Sequence, residues 1–321
     1  MAQDLRPIFV VGMPRSGTTL LAALLSAHSR IAIGPETAYF DLVWKPLERN
    51  AGLSKWDPIA QRLHEFFLKP SVALMGLAQA ELLLAFRRAF DQGNLTHRMM
   101  LSRMMQTYAG LQQKAAWGEK TPGHFLYVPA IKTEFPEAEI FFIIRDPRDI
   151  HLSLDKVAWN DGNVFNHALQ WREYQSIAKR YQKAYGDSFT RLRYEDLITD
   201  PKTVLRTLTQ KVGLSFEEEM LDRYQSQPLF DSKDEPWKTK VASPIDAANA
   251  GKWRTKLPTE QWGIFTTLCG SHLREFGYEI PQGFRFSPTL ALKGLDVHGV
   301  LWWTRVAWRI SRGRDPWLGR G

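Results

Sequence analysis

Four residues of one short stretch, "GMPRSGTT", have the chemistry to hold an anion: Arg15, Ser16, Thr18 and Thr19, bracketed by Gly12 and Gly17. Glycines let the main chain turn tightly enough for consecutive N–H groups to converge on one ligand. A helix starting near Thr18 would add the positive end of its dipole. The spacing is that of a nucleotide-triphosphatase loop, GxxxxGK[ST], whose lysine reaches the outer phosphates. Here Thr18 stands where that lysine belongs, and the nearby cation, Arg15, lies inside the loop. A magnesium triphosphate would therefore lack its main counter-charge.

A second group lies in "IIRDPRDIHLSL", with Arg145 at the end of an apolar run and Ser153 eight residues later. A guanidinium can fork two hydrogen bonds onto a phosphate, and a hydroxyl from a following helix can close on it. Arg145 and Arg148 also have a competing use, pairing with Asp146 and Asp149. Two anion sites on one rim suit a nucleotide phosphorylated at two ribose positions better than a linear triphosphate.

The elements that must position these groups follow from the apolar pattern. Segments 7–11, 30–34, 139–146 and 188–194 read as strands, the third being the clearest central one. Helices are expected over 18–28, from Pro147, whose fixed φ suits a first turn, and after Asp200-Pro201. Two further stretches, 57–92 and 163–185, read as helical without strands, and the aromatic stripe of the second reads as core packing. Strands separated by helices predict an α/β fold with a parallel sheet covered on both faces. Its ligands belong outside the carboxyl ends of the strands. Residues 1–285 read as one domain and 286–321 as a tail, with 228–258 a loop-rich surface segment.

Composition sets limits on function. The 321-residue chain is 44% hydrophobic and carries a net charge of +8. Its one cysteine, Cys269, excludes an intramolecular disulfide and a thiolate metal cage. No window reaches the roughly 18 apolar residues a membrane span needs, and the first residues have no leader pattern, so a cytoplasmic location is expected. Residues 293–321 hold six Lys/Arg against two Asp/Glu, half of the net charge. Within 298–312, Arg305, Arg309 and Arg312 share one helical face, while Val300, Trp303, Ala307 and Ile310 share another. That pattern suits peripheral contact with a membrane or lipidic substrate, docking on the domain, or an oligomer contact. The remaining basic residues are scattered and carry no nucleic-acid signature, so no nucleic-acid partner is expected.

Three segments together are specific. "VVGMPRSGTTLL" resembles the 5′-phosphosulfate loop of the PAPS-dependent sulfotransferases, and "IIRDPRDIHLSL" resembles their 3′-phosphate segment. "RYEDLITDP", 193–201, is similar to a recurring element of the same family, and the resemblance spans about residues 7–280. PAPS is 3′-phosphoadenosine 5′-phosphosulfate. "PRSGTTLLAALLSAHSRIAIGPET" is most similar to the tyrosylprotein sulfotransferase branch and its bacterial relatives.

The resemblance implies a P-loop-like sulfotransferase fold and metal-free transfer of a sulfuryl group from PAPS to a hydroxyl or amine, releasing 3′,5′-ADP. It implies that Ser16, Gly17, Thr18 and Thr19 form the phosphosulfate cradle and that Arg15 stabilises the sulfuryl and its leaving phosphate. Arg145 and Ser153 match the 3′-phosphate pair, and Tyr194 matches a tyrosine close to the cofactor. Glu36 in "IGPET" matches the catalytic base, and Lys120 in "WGEKTP" the lysine supporting the departing bridge oxygen. Glu119 and His124, close to Lys120, compete as bases. The branch's lysine before a C-terminal proline does not transfer, because Ser243 precedes Pro244. Lys240, Lys252 or Arg254 could replace it, with "GKWR" (Gly251–Arg254) favoured. Two other readings are a kinase using ATP and magnesium and a non-catalytic nucleotide-binding protein. The missing lysine and the Arg145/Ser153 pair argue against the kinase. The acceptor cannot be read from the cofactor half.

Overall fold

The computed structural model describes residues 5–50, 52–157, 162–226, 239 and 241–281. Lys240, the tail 286–321 and its amphipathic stretch 298–312 lie outside the described residues.

Strands β1 (Ile8–Gly12), β2 (Ile31–Gly34), β3 (Ala116–Lys120), β4 (Glu139–Ile144) and β5 (Phe189–Arg193) form one sheet in the order β2-β3-β1-β4-β5. Every pairing is parallel. Of the three inner strands, β1 and β4 are buried along their whole length, as their near-continuous apolar runs require. The pleat divides β1 between two cores: Ile8 and Val10 pack with Leu21, Leu24 and Leu205, while Phe9 and Val11 pack with Phe125, Phe142 and Tyr174. Helices therefore cover both faces, and the α/β expectation is borne out.

Four of the strands and the helices after them follow the apolar pattern. Helix α1 (Thr18–Ser26) follows β1, and the helix Pro147–Leu154 follows β4, capped by the Asp146 side chain accepting from the Arg148 N–H. Asp200 caps Pro201–Lys211 in the same way through the Thr203 N–H. The 163–185 stretch is one helix, Val164–Tyr185, and its Phe165, Tyr174, Ala178 and Tyr181 are buried core residues. The 57–92 stretch is broken into Trp56–Phe67, Pro70–Ala73 and Gln79–Asp91. Among the described residues no helix is long and apolar enough to cross a membrane.

Strand β3 is the element the apolar pattern does not reveal. "AWGEK" holds one glycine and two charges in five residues, so neither alternation nor an apolar run marks it. Its place between β1 and β2 separates "IGPET" from the phosphate loop by one strand. The chain moves to one side of β1 after α1 and to the other after β3. The crevice between the carboxyl ends of β1 and β4 is thus the switch point where open parallel sheets bind ligands.

Candidate functional site

The loop after β1 holds two left-handed residues, Arg15 at φ 71° and Gly17 at φ 100°. Glycine adopts that conformation freely, whereas at Arg15 it is a local strain that the surrounding structure must maintain. Gly17 is also required by packing, since a Cβ there would lie 2.4 Å from Cδ2 of Tyr194. A Cβ at Gly12 would lie 2.8 Å from the Ile143 carbonyl oxygen. No side chain caps α1 at Gly17 and no carboxylate sits in its first turn, so the amides there are open to an anion. The Ser16 hydroxyl is buried with no hydrogen-bond partner, and so is Nε of Arg145. Buried polar atoms are nearly always bonded, so two orphans around one loop fit an anionic ligand.

Arg145 leaves the end of β4 and turns onto that loop. Its Nη1 donates to the carbonyl of Arg15 at 3.0 Å and its Nη2 to the carbonyl of Asn249 at 2.9 Å. The guanidinium lies over the Tyr194 ring, 4.5 Å from its centroid. Burial pushes the Tyr194 phenol above its ordinary value and Arg145 opposes this in part, so the hydroxyl stays protonated. Pairing with an aspartate is the role of Arg148 instead. It is fully buried, forks onto Asp146 at 2.9 and 2.7 Å, and lies 3.5 Å from the Trp253 ring centroid. Ser153 accepts from Nε of Arg15 at 3.0 Å, which ties the phosphate loop to the Pro147 helix.

The second end of the site forms around β3. Lys120 is completely buried, and its Nζ donates to Oε1 of Glu36 at 2.6 Å and to Oγ1 of Thr19 at 3.4 Å. The Glu36 side chain is 23% exposed, enough to reach a ligand. Glu119 and His124, the competing bases, are 0% exposed and bonded to each other at 2.8 Å. Burial alone would push the Glu119 carboxyl up, but His124, Thr121 and Thr37 outweigh it and hold the group below its ordinary value.

A cleft of about 760 Å³ takes in every sequence-predicted site residue except Ser16, Lys120 and Arg254. Ser16 and Lys120 are buried behind its wall, Lys120 one hydrogen bond from both Glu36 and Thr19. Arg254 is turned away, in a half-exposed ion pair with Glu279 at 2.7 Å. Lys252 does line the cleft, with Nζ on Oδ1 of Asn249 at 2.6 Å. Sequence reasoning missed Asp149, whose carboxylate accepts from the N–H groups of Gly251 and Trp253 at 2.6 and 2.9 Å. It thereby ties "GKWR" to the Pro147 helix. Lys156 and Lys256 add two unforeseen cations to the lining. Among the described residues the one group of three or more His, Cys, Asp or Glu with convergent ligand atoms, His151, Asp155 and His167, lies outside that lining. Two of its members are already hydrogen-bonded through their Nδ1 atoms at 2.7 Å.

Known proteins resemble this chain in sequence and in fold. The chain is 23% identical to protein-tyrosine sulfotransferase A of Caenorhabditis elegans over 96% of its own length and 77% of that protein. It is 26% identical to an omega-hydroxy-beta-dihydromenaquinone-9 sulfotransferase of Mycobacterium tuberculosis over 88% of its length and 79% of that protein. Among matched relatives its span runs from 30% of one to 79% of another. The fold matches that of the sulfotransferase domain from the Synechococcus PCC 7002 olefin synthase, with a TM-score of 0.59 and 22% identity, covering 88% of this chain and 98% of that one. The sequence model of the sulfotransferase family matches residues 7–218, two thirds of the chain, and the protein therefore belongs to the sulfotransferase family.

Proposed function

We propose that the protein transfers the sulfuryl group of PAPS to a hydroxyl or amine acceptor by in-line displacement, with Glu36 as the base. The observation that carries this reading is the position of Lys120, whose ammonium bonds both Thr19 of the anion loop and the Glu36 carboxylate. One buried cation thereby links the donor side of the cleft to the acceptor side.

In this reading Ser16, Thr18, Thr19 and the first amides of α1 hold the 5′-phosphosulfate, while Arg145 and Ser153 hold the 3′-phosphate. PAPS supplies an activated sulfuryl group and a leaving phosphate. Glu36 takes the acceptor's proton as the acceptor oxygen or nitrogen bonds to sulfur and the sulfur–bridge oxygen bond breaks, giving 3′,5′-ADP. Lys120 stands where it can support the charge that develops on the bridge oxygen. Arg15 supports the same charge from the loop, and its guanidinium donates to Ser153, the residue this reading puts on the 3′-phosphate. Fixed cations of this kind make a metal unnecessary. Of the two relatives, one is named for a protein tyrosine and the other for an omega-hydroxy-dihydromenaquinone.

Replacing Glu36 by Gln tests it. Turnover should fall about 100-fold or more, in the range seen for loss of a general base, while 3′,5′-ADP still binds with its original affinity. Calorimetry should show 3′,5′-ADP binding without magnesium and far more tightly than ATP. Equal binding of ATP, dependent on magnesium, would overturn the donor assignment.

A further inference from the structure

The turn that carries Glu36 is held by Ser71, whose hydroxyl donates to the Glu36 carbonyl oxygen at 2.6 Å, and by a set of side chains from one short segment at the end of β3. Consecutive residues of a strand point to opposite faces, so β3 ends with Lys120 on one side and Glu119 on the other. Lys120 grips the Glu36 carboxylate. Glu119 grips the next residue twice, accepting from the Thr37 N–H at 3.2 Å and from its hydroxyl at 2.8 Å. The Ala38 N–H donates to Oγ1 of Thr121 at 3.1 Å, and the Phe40 N–H to Nε2 of His124 at 3.4 Å. Thr121 and His124 in turn donate to Glu119, at 2.5 and 2.8 Å. Ala38 sits at φ 54°, a conformation that a side-chain-bearing residue keeps only when its surroundings impose it.

The buried carboxylate of Glu119 is the hub of this grip. It does not line the cleft, and its hydrogen bonds run to Thr37, Thr121 and His124. A fully buried charge is costly unless it is paired and hydrogen-bonded, and here Oε1 accepts from three donors and Oε2 from His124. The bond from Phe40 leaves His124 Nε2 as an acceptor, so the proton is on Nδ1 and points at Glu119.

We infer that Glu119 is a positioning residue for Glu36: through Thr37, and through Thr121 and His124, it fixes the strained turn that keeps the Glu36 carboxylate on Lys120 and open to the acceptor. The inference rests on the reading of Glu36 as the base.

Glu119→Gln cannot reproduce the hub, because its amide nitrogen must face either His124 Nδ1–H or the threonine donors. Turnover should fall about tenfold or more, with the 3′,5′-ADP dissociation constant within about twofold of the parent. The deciding measurement is a cycle with Glu36→Gln. If Glu119 acts through Glu36, the double variant is no slower than Glu36→Gln alone. Should Glu119→Gln fail to fold, Thr37→Val keeps the volume, removes one donor to the hub and carries the same cycle, with a turnover loss of a few-fold expected. Unchanged turnover in both Glu119→Gln and Thr37→Val overturns the inference. So does a loss that recurs in full on the Glu36→Gln background, which leaves the base assignment standing. Wild-type turnover in Glu36→Gln removes the base assignment and the inference together.

Discussion

Ser16 offers a test in which two effects have opposite signs. Its hydroxyl is buried without a partner in the protein alone, a situation that destabilises the fold unless a ligand answers it. Ser16→Ala should therefore leave the melting temperature of the free protein unchanged or slightly raised. The same change should weaken 3′,5′-ADP, since a hydrogen bond to a charged group contributes about 1.5–3 kcal/mol, a loss of tenfold or more by calorimetry. Equal affinity in the variant would remove Ser16 from the cradle. Glu119 makes a pH prediction. Its carboxyl is held below the ordinary 4.5 in the folded protein, so the stability it contributes is complete above that value and is lost as pH falls through the lowered one. Urea midpoints measured from pH 6 downward should fall in the parent more steeply than in Glu119→Gln, which lacks the titrating group. Parallel curves would contradict this.

At the scale of elements, Asp149 joins the Pro147 helix to the "GKWR" segment through two main-chain N–H groups. Asparagine can accept from one of them but presents an amide nitrogen to the other. Asp149→Asn should raise KM for the donor about five- to tenfold, the effect of one lost hydrogen bond of about 1 kcal/mol, with kcat within about twofold. A fall in kcat alone would place the segment's role in the chemical step. The two segments differ in how legible they were. "IIRDPRD" announced a strand and a helix start by its apolar run and its proline. "AWGEK" announced nothing, because a central strand ending in two charges is stable only where Glu36, Thr19, Thr37 and His124 are already present to pair them.

For the whole molecule, ligand binding should be visible as stability. At about 100 times the dissociation constant, 3′,5′-ADP should add about 2.7 kcal/mol, which for a protein of this size is a rise in melting temperature of several degrees. The rise should be the same with EDTA present, because among the described residues five side-chain cations line the cleft, Arg15, Arg145, Lys156, Lys252 and Lys256. A shift that EDTA abolishes would show that a metal belongs to the site. The sheet order is what gathers these groups. Residues from the ends of β1 and β4 meet at the switch point, and the chain returns from 241–256 to close one side.

The glycine-bounded loop after β1, four of the five strands and the family were legible in the amino-acid sequence. Each of these is local: a glycine spacing, an apolar run, a motif whose members lie within a dozen residues. Only the tertiary structure decided which arginine serves the loop and which serves Asp146. It also turned Arg254 outward to Glu279 and converted Glu119 and His124 from competing bases into a buried pair. Those outcomes depend on neighbours distant in the chain: Arg15 and Asn249 lie 130 and 104 residues from Arg145, Thr37 lies 82 from Glu119, and Glu279 lies 25 from Arg254. A charged side chain adjacent in sequence to a catalytic candidate points, in a strand, to the other face of the sheet, and its role is set by what packs there.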